Sequence, residues 1–381
     1  MDSSLPRLIS VFLPALEGGG AERAMLHLAQ GFAQRGIPTD LVVAEATGVY
    51  LEMLPPGVQL VNLQARTPVV VSKTLALRRY LQQTQPDVLL SALDIVSSAT
   101  WAKRLAGVTT RVVMCVQTNL SQQFQDHQPW TGGKLRPQFV RWFYPWADEI
   151  VAASQGVALD VAAMSHLPPE QVKVIYNPVV TPAVKAKLQT AIAHPWFGPG
   201  APPVILGVGR LVTQKDFPTL IRAFARLRQH QVARLMILGE GDQRPKLEAL
   251  IQDLDLVQDV ALPGFVENPY AYMAQASVFA LSSIFEGFGN VVAEALAAGT
   301  PVVATDCDSG PAEILADGQY GALVPVGDDQ AFATAIAHTL AQPRHSHRLQ
   351  ARAEAFSLDV VTDQYLQVLQ GVIGASRSQA S

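Results

Sequence analysis

The sequence predicts an α/β protein made of two doubly wound domains, each a parallel sheet with helices on both faces, that face each other across a cleft. Short apolar segments typical of buried strands alternate with segments of helical periodicity along the whole chain. The 381 residues exceed what one ordinary domain holds. Apolar side chains make up 49% of the chain and charged ones only 16%, which suits sheets that are buried on both faces.

The composition also excludes several classes of function. A net charge of −4 argues against nucleic acid as a partner. Cys115 and Cys307 are too far apart in the sequence to form a disulfide framework or a zinc cluster. We find neither a leader-like segment nor an apolar run long enough to span a membrane. We therefore expect a cytoplasmic protein that is at most peripheral to the inner face of a membrane.

The first domain is expected over residues 1–180. Its first strand, Leu8–Leu13, runs into Gly18-Gly19-Gly20, and apolar residues then recur at helical spacing until Arg35-Gly36 ends the helix. Four more segments have the apolar, β-branched composition of strands, and helical patterns separate them. They are Asp40–Ala44, Val88–Leu90, Arg111–Val116 and Ile150–Ala152.

A proline-rich stretch interrupts this alternation. Six prolines fall between Pro178 and Pro203, so we predict a linker over residues 181–203 and a second domain over residues 204–355. The second domain repeats the pattern of strands and helices. Its predicted strands are Val204–Val208, Leu235–Leu238, Val278–Leu281 and Val302–Ala304, and its predicted helices are Phe217–Leu227, Asp242–Leu254 and Val291–Ala298.

The segment Phe285–Ala295 carries the strongest chemical signal. Glu286 follows a predicted strand, two glycines keep the next backbone open, and Asn290 begins a helix that carries Glu294 one turn later. The amide groups at such a helix start suit a diphosphate. The two carboxylates would hold two parts of one ligand, such as sugar hydroxyls and ribose hydroxyls. The alternative is structural, with Glu294 capping or pairing and Glu286 solvated.

A second signal lies at the end of the strand Val204–Val208. Gly209-Arg210 follows that strand, and Lys215 lies five residues beyond Arg210. Arginine offers a planar fork for phosphate oxygens and lysine a point charge, so this pair predicts a phosphate clamp. The alternative is an exposed basic loop.

These motifs resemble those of the retaining glycosyltransferases of family 4, which have two Rossmann-like domains in the GT-B arrangement. Glu286 to Glu294 resembles the family's E-x7-E element, and Gly209-Arg210 to Lys215-Asp216 resembles its G-R-L-x-x-x-K element. Glu17–Glu22 is similar to its amino-terminal glycine loop. The resemblance implies a metal-independent enzyme without a cofactor, whose substrates are a nucleotide-sugar, with UDP favoured, and a saccharide or lipid-linked acceptor in polysaccharide or glycoconjugate synthesis.

The resemblance also assigns roles to residues. Arg210, Lys215 and Glu286 would be catalytic: the two cations would clamp the leaving diphosphate, and Glu286 would hold the transferred sugar. Glu294 would bind the ribose, the backbone of Phe265–Val266 would meet the base, and the glycine loop would close over the phosphate. The full set of expected donor contacts is Gly19, Gly20, Gly209, Arg210, Lys215, Phe265, Val266, Glu286, Gly287, Phe288, Gly289, Asn290, Val291 and Glu294.

Two positions bear on the mechanism. Many relatives carry a histidine after the strand Arg111–Val116, and here Gln117 stands there, as a possible sugar or acceptor contact. Glutamine cannot titrate, so an acid–base role at this position is in doubt. Asp306-Cys307-Asp308 has the D-x-D form of a metal element in another glycosyltransferase class, but we assign no metal to it.

Two further segments suggest where the chain makes contacts. Trp130–Trp146 and Val69–Tyr80 combine aromatic or apolar residues with cations, and each is either a core helix or a surface for anionic lipid headgroups. Phe356–Val372 has a helical apolar stripe. By resemblance this helix, expected over 356–375, returns to complete the first domain; alternatively it finishes the second.

The sequence leaves two other functions open. A sugar-nucleotide epimerase would share the two-domain layout but would need no acceptor. A non-catalytic module would bind a nucleotide-sugar without turnover. Gln117 is compatible with this function, but the presence of all four charged residues of the two motifs argues against it; they are Arg210, Lys215, Glu286 and Glu294.

Overall fold

The computed structural model describes residues 5–65, 69–94, 97–126 and 136–379. The chain divides into two compact units. Unit 1 comprises Met1–Pro178 together with Leu358–Ser381, and unit 2 comprises Val179–Ser357.

Unit 1 contains a seven-stranded parallel sheet in the order β3-β2-β1-β4-β5-β6-β7. Because the order reverses between β1 and β4, the first and second halves of the sheet extend in opposite directions from this pair. The strands are β1 Ile9–Leu13, β2 Thr39–Val43, β3 Val58–Asn62, β4 Val88–Ala92, β5 Arg111–Val116, β6 Glu149–Ala152 and β7 Val172–Val174.

Helices cover both faces of this sheet. Alternate residues of β1 belong to different core clusters: Val11 packs with Phe32 on one face, and Phe12 packs with Leu77 on the other. This alternation follows from the two-residue period of a strand. The helices are α1 Gly20–Gln34, α2 Val69–Thr84, α3 Ser98–Ala106, α4 Leu120–Asp126, α5 Arg136–Phe143 and α6 Gln155–Ser165, with α15 Leu358–Gln379 from the end of the chain.

Unit 2 contains a six-stranded parallel sheet in the order β10-β9-β8-β11-β12-β13. Its order reverses between β8 and β11. The strands are β8 Val204–Val208, β9 Arg234–Leu238, β10 Val260–Gly264, β11 Val278–Leu281, β12 Val302–Thr305 and β13 Ala322–Val324. The helices are α7 Pro182–Leu188, α8 Phe217–Arg228, α9 Arg244–Asp253, α10 Pro269–Gln275, α11 Asn290–Ala297, α12 Pro311–Ile314, α13 Asp329–Ala341 and α14 Ser346–Ala353.

Four strands escaped the sequence prediction, and all four lie at the edges of the two sheets: β3, β7, β10 and β13. An edge strand has one neighbour and is only partly covered, so polar residues can interrupt it, as they do in β3 and β7, whereas β10 contains Pro263 and β13 has only three residues. β3 reads VQLVN, and only its first residue is buried. The predicted central strands agree with the structure to within two residues at each end.

The stretch 181–203, expected to be a linker, folds within unit 2. The Thr181 hydroxyl accepts a hydrogen bond from the Val184 amide at 3.2 Å and caps α7, whose first residue is Pro182. Proline suits the first turn of a helix because its missing amide is not needed there. Asn268 also donates to the carbonyl of Lys187 at 3.1 Å, which ties α7 to the start of α10.

The terminal helix α15 packs in unit 1 against α1. A Cβ added to Gly31 of α1 would lie 2.1 Å from the hydroxyl of Thr362, so the two helices cross in close contact at this glycine. The Arg35 guanidinium binds the Asp363 carboxylate at 2.7 Å at the edge of the same contact. The apolar stripe of α15 thus covers the first sheet, where Val361, Tyr365 and Leu369 are buried.

Candidate active site

The two predicted motifs of unit 2 meet at the reversal point of its sheet. Gly209-Arg210 follows β8, and the segment Ser282–Glu286 follows the neighbouring strand β11. Ligands of open α/β sheets bind outside the carboxyl ends of the strands at such a point. The backbone joins the two segments directly, because the amide of Ile284 donates to the carbonyl of Gln214 at 2.8 Å.

Lys215 and Glu286 form an ion pair at this edge. Lys215 Nζ lies 2.5 Å from Glu286 Oε1, and the two side chains are only 15% and 8% exposed. The Ser283 hydroxyl donates to the same carboxylate oxygen at 2.7 Å. The alternative of a solvated Glu286 therefore does not hold: the carboxylate is buried and is held by a cation and a hydroxyl.

Arg210 differs from Lys215 in its surroundings. Its side chain is exposed, and it makes no hydrogen bond or ion pair with any part of the chain that the structure describes. An exposed guanidinium five residues before Lys215 leaves one cation available to an anionic ligand.

The loop Phe285–Asn290 is held against the segment that follows β12. Phe285 pairs with Asp308, and the Glu286 amide donates to the Asp308 carbonyl at 3.2 Å. Gly310 has φ +89°, and a Cβ there would lie 1.9 Å from the carbonyl oxygen of Phe288. Only glycine permits this approach of two backbones, so Gly310 sets the position of the loop that carries Glu286.

The helix start predicted at Asn290 is confirmed. Gly289, at φ +89°, precedes α11, and Glu294 lies one turn into that helix with 2% exposure. Val291 is half-buried beside Asn290, and Gly287 and Phe288 are buried in the loop.

The segment expected at the nucleobase follows β10. Phe265 is 78% exposed, directly after Gly264. The loops after β8, β9 and β10 are in backbone contact: the Gly209 amide donates to Leu238 at 3.0 Å, and the Gly239 amide to Gly264 at 2.9 Å. A Cβ on Gly239 would meet the Gly209 carbonyl at 1.9 Å. The structure therefore brings Phe265 to the same edge of the sheet as Arg210.

In unit 1, the glycine loop lies after β1, where the first sheet reverses. The amides of Gly18 and Gly19 both donate to one carboxylate oxygen of Glu22, at 2.7 and 2.8 Å. This arrangement caps the amino end of α1, which begins at Gly20. Glu22 shapes this loop, a role that was not predicted from the sequence although its position three residues after Gly19 is the spacing of a capping box.

Gln117 follows β5 in unit 1 and is 8% exposed. Its amide nitrogen lies 3.9 Å from the sulfur of Met25, which is a weak contact. Its carbonyl oxygen accepts no hydrogen bond from the described residues.

The D-x-D segment follows β12 in unit 2. Asp306 and Asp308 are exposed, and Cys307 between them is buried. Burial, together with the nearby Glu286 charge, raises the pKa of the Cys307 thiol to about 12, so it stays protonated. Within the described ranges, no three His, Cys, Asp or Glu side chains lie close enough to hold a metal ion.

The segment Trp130–Trp146 falls partly outside the described residues, which resume at residue 136. From there, α5 and a 3-10 turn Tyr144–Trp146 pack in unit 1, and the rings of Phe143 and Trp101 are in tilted contact at 4.8 Å between ring centres. Trp142 does not share this buried face and is 55% exposed. None of the described helices combines the length and apolar character needed to cross a membrane.

Two family models match the chain. The model described as Glycosyltransferase Family 4 matches residues 18–181, and the model described as Glycosyl transferases group 1 matches residues 191–356. Together they cover both motif regions of unit 2 and the glycine loop of unit 1.

Curated relatives match over almost the full length. The chain is 29% identical to the N-acetylgalactosamine-N,N'-diacetylbacillosaminyl-diphospho-undecaprenol 4-alpha-N-acetylgalactosaminyltransferase of Campylobacter jejuni, over 95% of this chain and 99% of that protein. It is 29% identical to the lipopolysaccharide core biosynthesis glycosyltransferase LpsE of Rhizobium meliloti, over 92% and 96% of the two chains. Nothing in these descriptions supports an epimerase or a module that only binds.

Solved structures show the same fold. Sucrose-phosphate synthase from Thermosynechococcus elongatus superposes with a TM-score of 0.79 at 20% identity, over 97% of this chain and 100% of that one. Anabaena Alr3699/HepE in complex with UDP gives a TM-score of 0.74 at 21% identity, over 96% and 100%. The expected fold class, two Rossmann-like domains of the GT-B type, is confirmed. Because the two family models match residues 18–181 and 191–356, the chain belongs to the group 1 glycosyltransferases of family 4, and it is a glycosyltransferase.

Proposed function

We propose that the chain transfers a sugar from a UDP-sugar to a saccharide or lipid-linked saccharide, with retention of configuration at the transferred carbon. The observation that carries this proposal is the juxtaposition of Arg210, Lys215 and Glu286 at the edge where β8 and β11 end. A pair of cations beside a buried carboxylate suits a ligand that has a diphosphate at one end and hydroxyl groups at the other.

In this proposal the two cations stabilise charge that develops on the leaving group. As the bond between the sugar carbon and the phosphate oxygen breaks, negative charge grows on the diphosphate next to Arg210 and Lys215. The acceptor oxygen forms the new bond to the same carbon from the same face, and its proton passes to the departing phosphate oxygen. This step needs no titrating side chain, which agrees with Gln117 at the position where many relatives have histidine.

The carboxylates and the loop backbone would bind the rest of the donor. Glu286 is fixed by Lys215 and Ser283, so it presents its second oxygen to sugar hydroxyls without having to reorganise. Glu294 on α11 would bind the ribose, and the exposed Phe265 would lie at the base. The Gly19 amide, expected together with Gly20 to contact the phosphate, already donates to Glu22 in unit 1.

The relatives support the choice of substrates. The Campylobacter relative is named for a diphospho-undecaprenol acceptor and an α linkage. Anabaena Alr3699/HepE was crystallised with UDP-glucose. A Mycolicibacterium smegmatis relative, 32% identical over 208 residues, is GDP-mannose-dependent, so GDP is the competitor to test.

A lipid-linked acceptor suggests peripheral contact with the inner face of a membrane, and one surface of unit 1 fits it. Helices α2, α3 and α5 carry no acidic residue, and three of their arginines are exposed, Arg79, Arg104 and Arg141, in a chain of net charge −4. Apolar side chains are exposed on the same helices, as Val71 at 56%, Leu105 at 48% and Trp142 at 55%. Cations around exposed apolar residues are typical of surfaces that bind anionic headgroups.

Vesicle flotation tests this contact. Vesicles containing phosphatidylglycerol should float the protein, whereas phosphatidylcholine vesicles should not. The double variant Arg79→Glu/Arg141→Glu should lose flotation, while Lys187→Glu/Lys246→Glu, which changes the charge equally in unit 2, should keep it. Equal flotation of both variants would contradict the assignment of the surface.

A donor screen tests the catalytic proposal. UDP, GDP, ADP and TDP sugars are compared by thermal shift, because a ligand that binds only the native state raises its melting temperature. The UDP-sugars should give the largest shift, and NMR of the product should show an α linkage from an α donor. A protein that no nucleotide-sugar stabilises, or a product of inverted configuration, would overturn the proposal.

A further inference from the structure

Two loops of unit 2 carry the ion pair of the candidate site. Lys215 lies in the loop after β8, and Glu286 lies in the loop after β11. Lysine carries its charge on a flexible four-carbon stem, so its ammonium group can follow a carboxylate that moves. A donor that contacts both side chains needs them at a fixed separation, because a misplacement of about 1 Å can cost roughly 10²-fold in rate. The ion pair alone does not fix that separation.

Gln214 connects the two loops through both its backbone and its side chain. Its carbonyl accepts a hydrogen bond from the amide of Ile284 at 2.8 Å. Its side-chain Nε2 donates to the carbonyl of Phe285 at 2.8 Å. Gln214 directly precedes Lys215 in the chain, and its two partners directly precede Glu286. The glutamine thus joins the loops at the residues next to the ion pair.

The peptide group between Phe285 and Glu286 is held at both of its polar atoms. Its carbonyl accepts from Gln214, and its N–H donates to the carbonyl of Asp308 at 3.2 Å. Because a peptide group is planar, hydrogen bonds at both atoms restrict the rotation of the whole plane. That plane determines the direction in which the Glu286 side chain leaves the backbone. The Gln214 bond therefore ties this direction to the loop that carries Lys215.

Ser282 makes the reciprocal contact from the loop after β11. Its hydroxyl donates to the carbonyl of Lys215 at 2.7 Å, and the residue is 1% exposed. Ser282 contacts the backbone of Lys215, whereas its neighbour Ser283 contacts the charged group of Glu286. The backbone at each charged residue is therefore held by a neutral side chain from the opposite loop.

We propose that Gln214 is a positioning residue, which sets the place of the Glu286 carboxylate relative to the Lys215 ammonium group during transfer. Ser282 acts in the same way on Lys215. Both residues act through the charged pair and make no contact with the reacting atoms. This inference rests on the proposed function, and it adds two neutral residues to the machinery of the site.

Kinetics of Gln214→Met test this role with the donor that the wild type uses. Methionine keeps the length of the side chain but cannot donate to the Phe285 carbonyl. The variant should lower kcat about tenfold. Its affinity for UDP should stay within about twofold of the wild type, because UDP lacks the sugar that Glu286 would hold. The matched control, Gln252→Met on the exposed side of α9, should change neither quantity.

A double-mutant cycle distinguishes positioning from a general structural contribution. In the Glu286→Ala background there is no carboxylate to position, so Gln214→Met should lower kcat by less than about twofold. A tenfold loss in both backgrounds would show that Gln214 acts independently of Glu286, and this result would overturn the proposal. A normal kcat in Gln214→Met would overturn it as well.

Hydrogen exchange supplies a readout that needs no turnover. The amides of Ile284 and Glu286 should exchange at least about fivefold faster in Gln214→Met than in the wild type or in Gln252→Met. If the wild type turns over no UDP-sugar, the proposed function fails, and unchanged exchange at these two amides separately overturns the positioning role.

A second variant decides if Gln214→Met does not fold. Ser282→Ala removes only one hydroxyl, and it is taken through the same cycle with Lys215→Met. Its kcat should fall in the wild-type background and not in the Lys215→Met background. If neither Gln214→Met nor Ser282→Ala folds, the two contacts serve the fold and the positioning role is overturned.

Discussion

Replacing Lys215 by methionine removes the charge at the centre of the candidate site and keeps most of the side-chain volume. The 2.5 Å contact with Glu286 corresponds to about 7 kcal/mol of Coulomb attraction at an effective dielectric constant of ~20, before the cost of desolvation is subtracted. Desolvation of two largely buried ions offsets several kcal/mol of this. The variant keeps Glu286 buried and hydrogen-bonded to Ser283 but without a cation, so we expect a loss of about 3 kcal/mol of unfolding free energy.

The same substitution should impair catalysis by a separate route. Loss of one charged donor to the leaving diphosphate should lower kcat by about 10²–10³-fold. The double variant Lys215→Met/Glu286→Gln separates the two effects. Neutralising Glu286 removes the uncompensated buried charge, so stability should return towards that of the wild type while kcat stays low.

The assay combines urea denaturation with initial rates on the donor found by the thermal-shift screen. Lys246→Met, which removes an exposed lysine of α9, is the control for a general loss of charge and should change neither quantity. A Lys215→Met enzyme with nearly normal kcat would refute the clamp. Full recovery of kcat in the double variant would show that Lys215 acts only by neutralising Glu286.

Four further predictions concern the donor, the metal, the loop and pH. Glu294→Gln should weaken UDP binding in calorimetry while the protein stays folded, because an amide has one acceptor oxygen and a carboxylate has two. An unchanged affinity for UDP would contradict the proposed contact between Glu294 and the ribose. EDTA should leave the rate of transfer largely intact; loss of activity that manganese or magnesium restores would contradict metal independence. Gly310→Ala should unfold the site or the protein, because its Cβ would lie 1.9 Å from a backbone oxygen, whereas Gly327→Ala, at φ +76° with nothing within 4 Å, should cost only about 1 kcal/mol; equal urea midpoints would contradict this. Burial lowers the pKa of His27 to about 4, so between pH 6.5 and 4 the unfolded chain binds a proton at this imidazole that the folded protein does not, and the unfolding free energy should fall as the pH drops through that range. In urea titrations, His27→Gln should reduce this dependence of the unfolding free energy on pH, and a dependence equal to that of the wild type would exclude His27 as its source.

The charged residues of the candidate site that directly follow a strand could be predicted from the sequence. Glu286 and Arg210 each follow an apolar strand with glycines beside them, and parallel strands bring their carboxyl ends to one edge. The residues that fix these side chains were not predictable. Ser283 binds Glu286 over a short loop, and Gly310 positions the same loop from 20 residues or more away, and neither has a distinctive sequence pattern.

By itself the sequence determined the fold class, the central strands and the family, because apolar periodicity and motif spacing are local properties of the chain. Only the tertiary structure revealed the edge strands, the place of residues 181–203 and the surroundings of the charges. β3 and β7 are strands because neighbours pair with them, and their own residues are too polar to indicate it. Glu286 is buried rather than solvated because Lys215, 71 positions away, lies beside it. The burial of a side chain, the pairing of edge strands and the formation of an ion pair depend on contacts between segments that are distant in the sequence, and a local sequence pattern cannot predict these contacts.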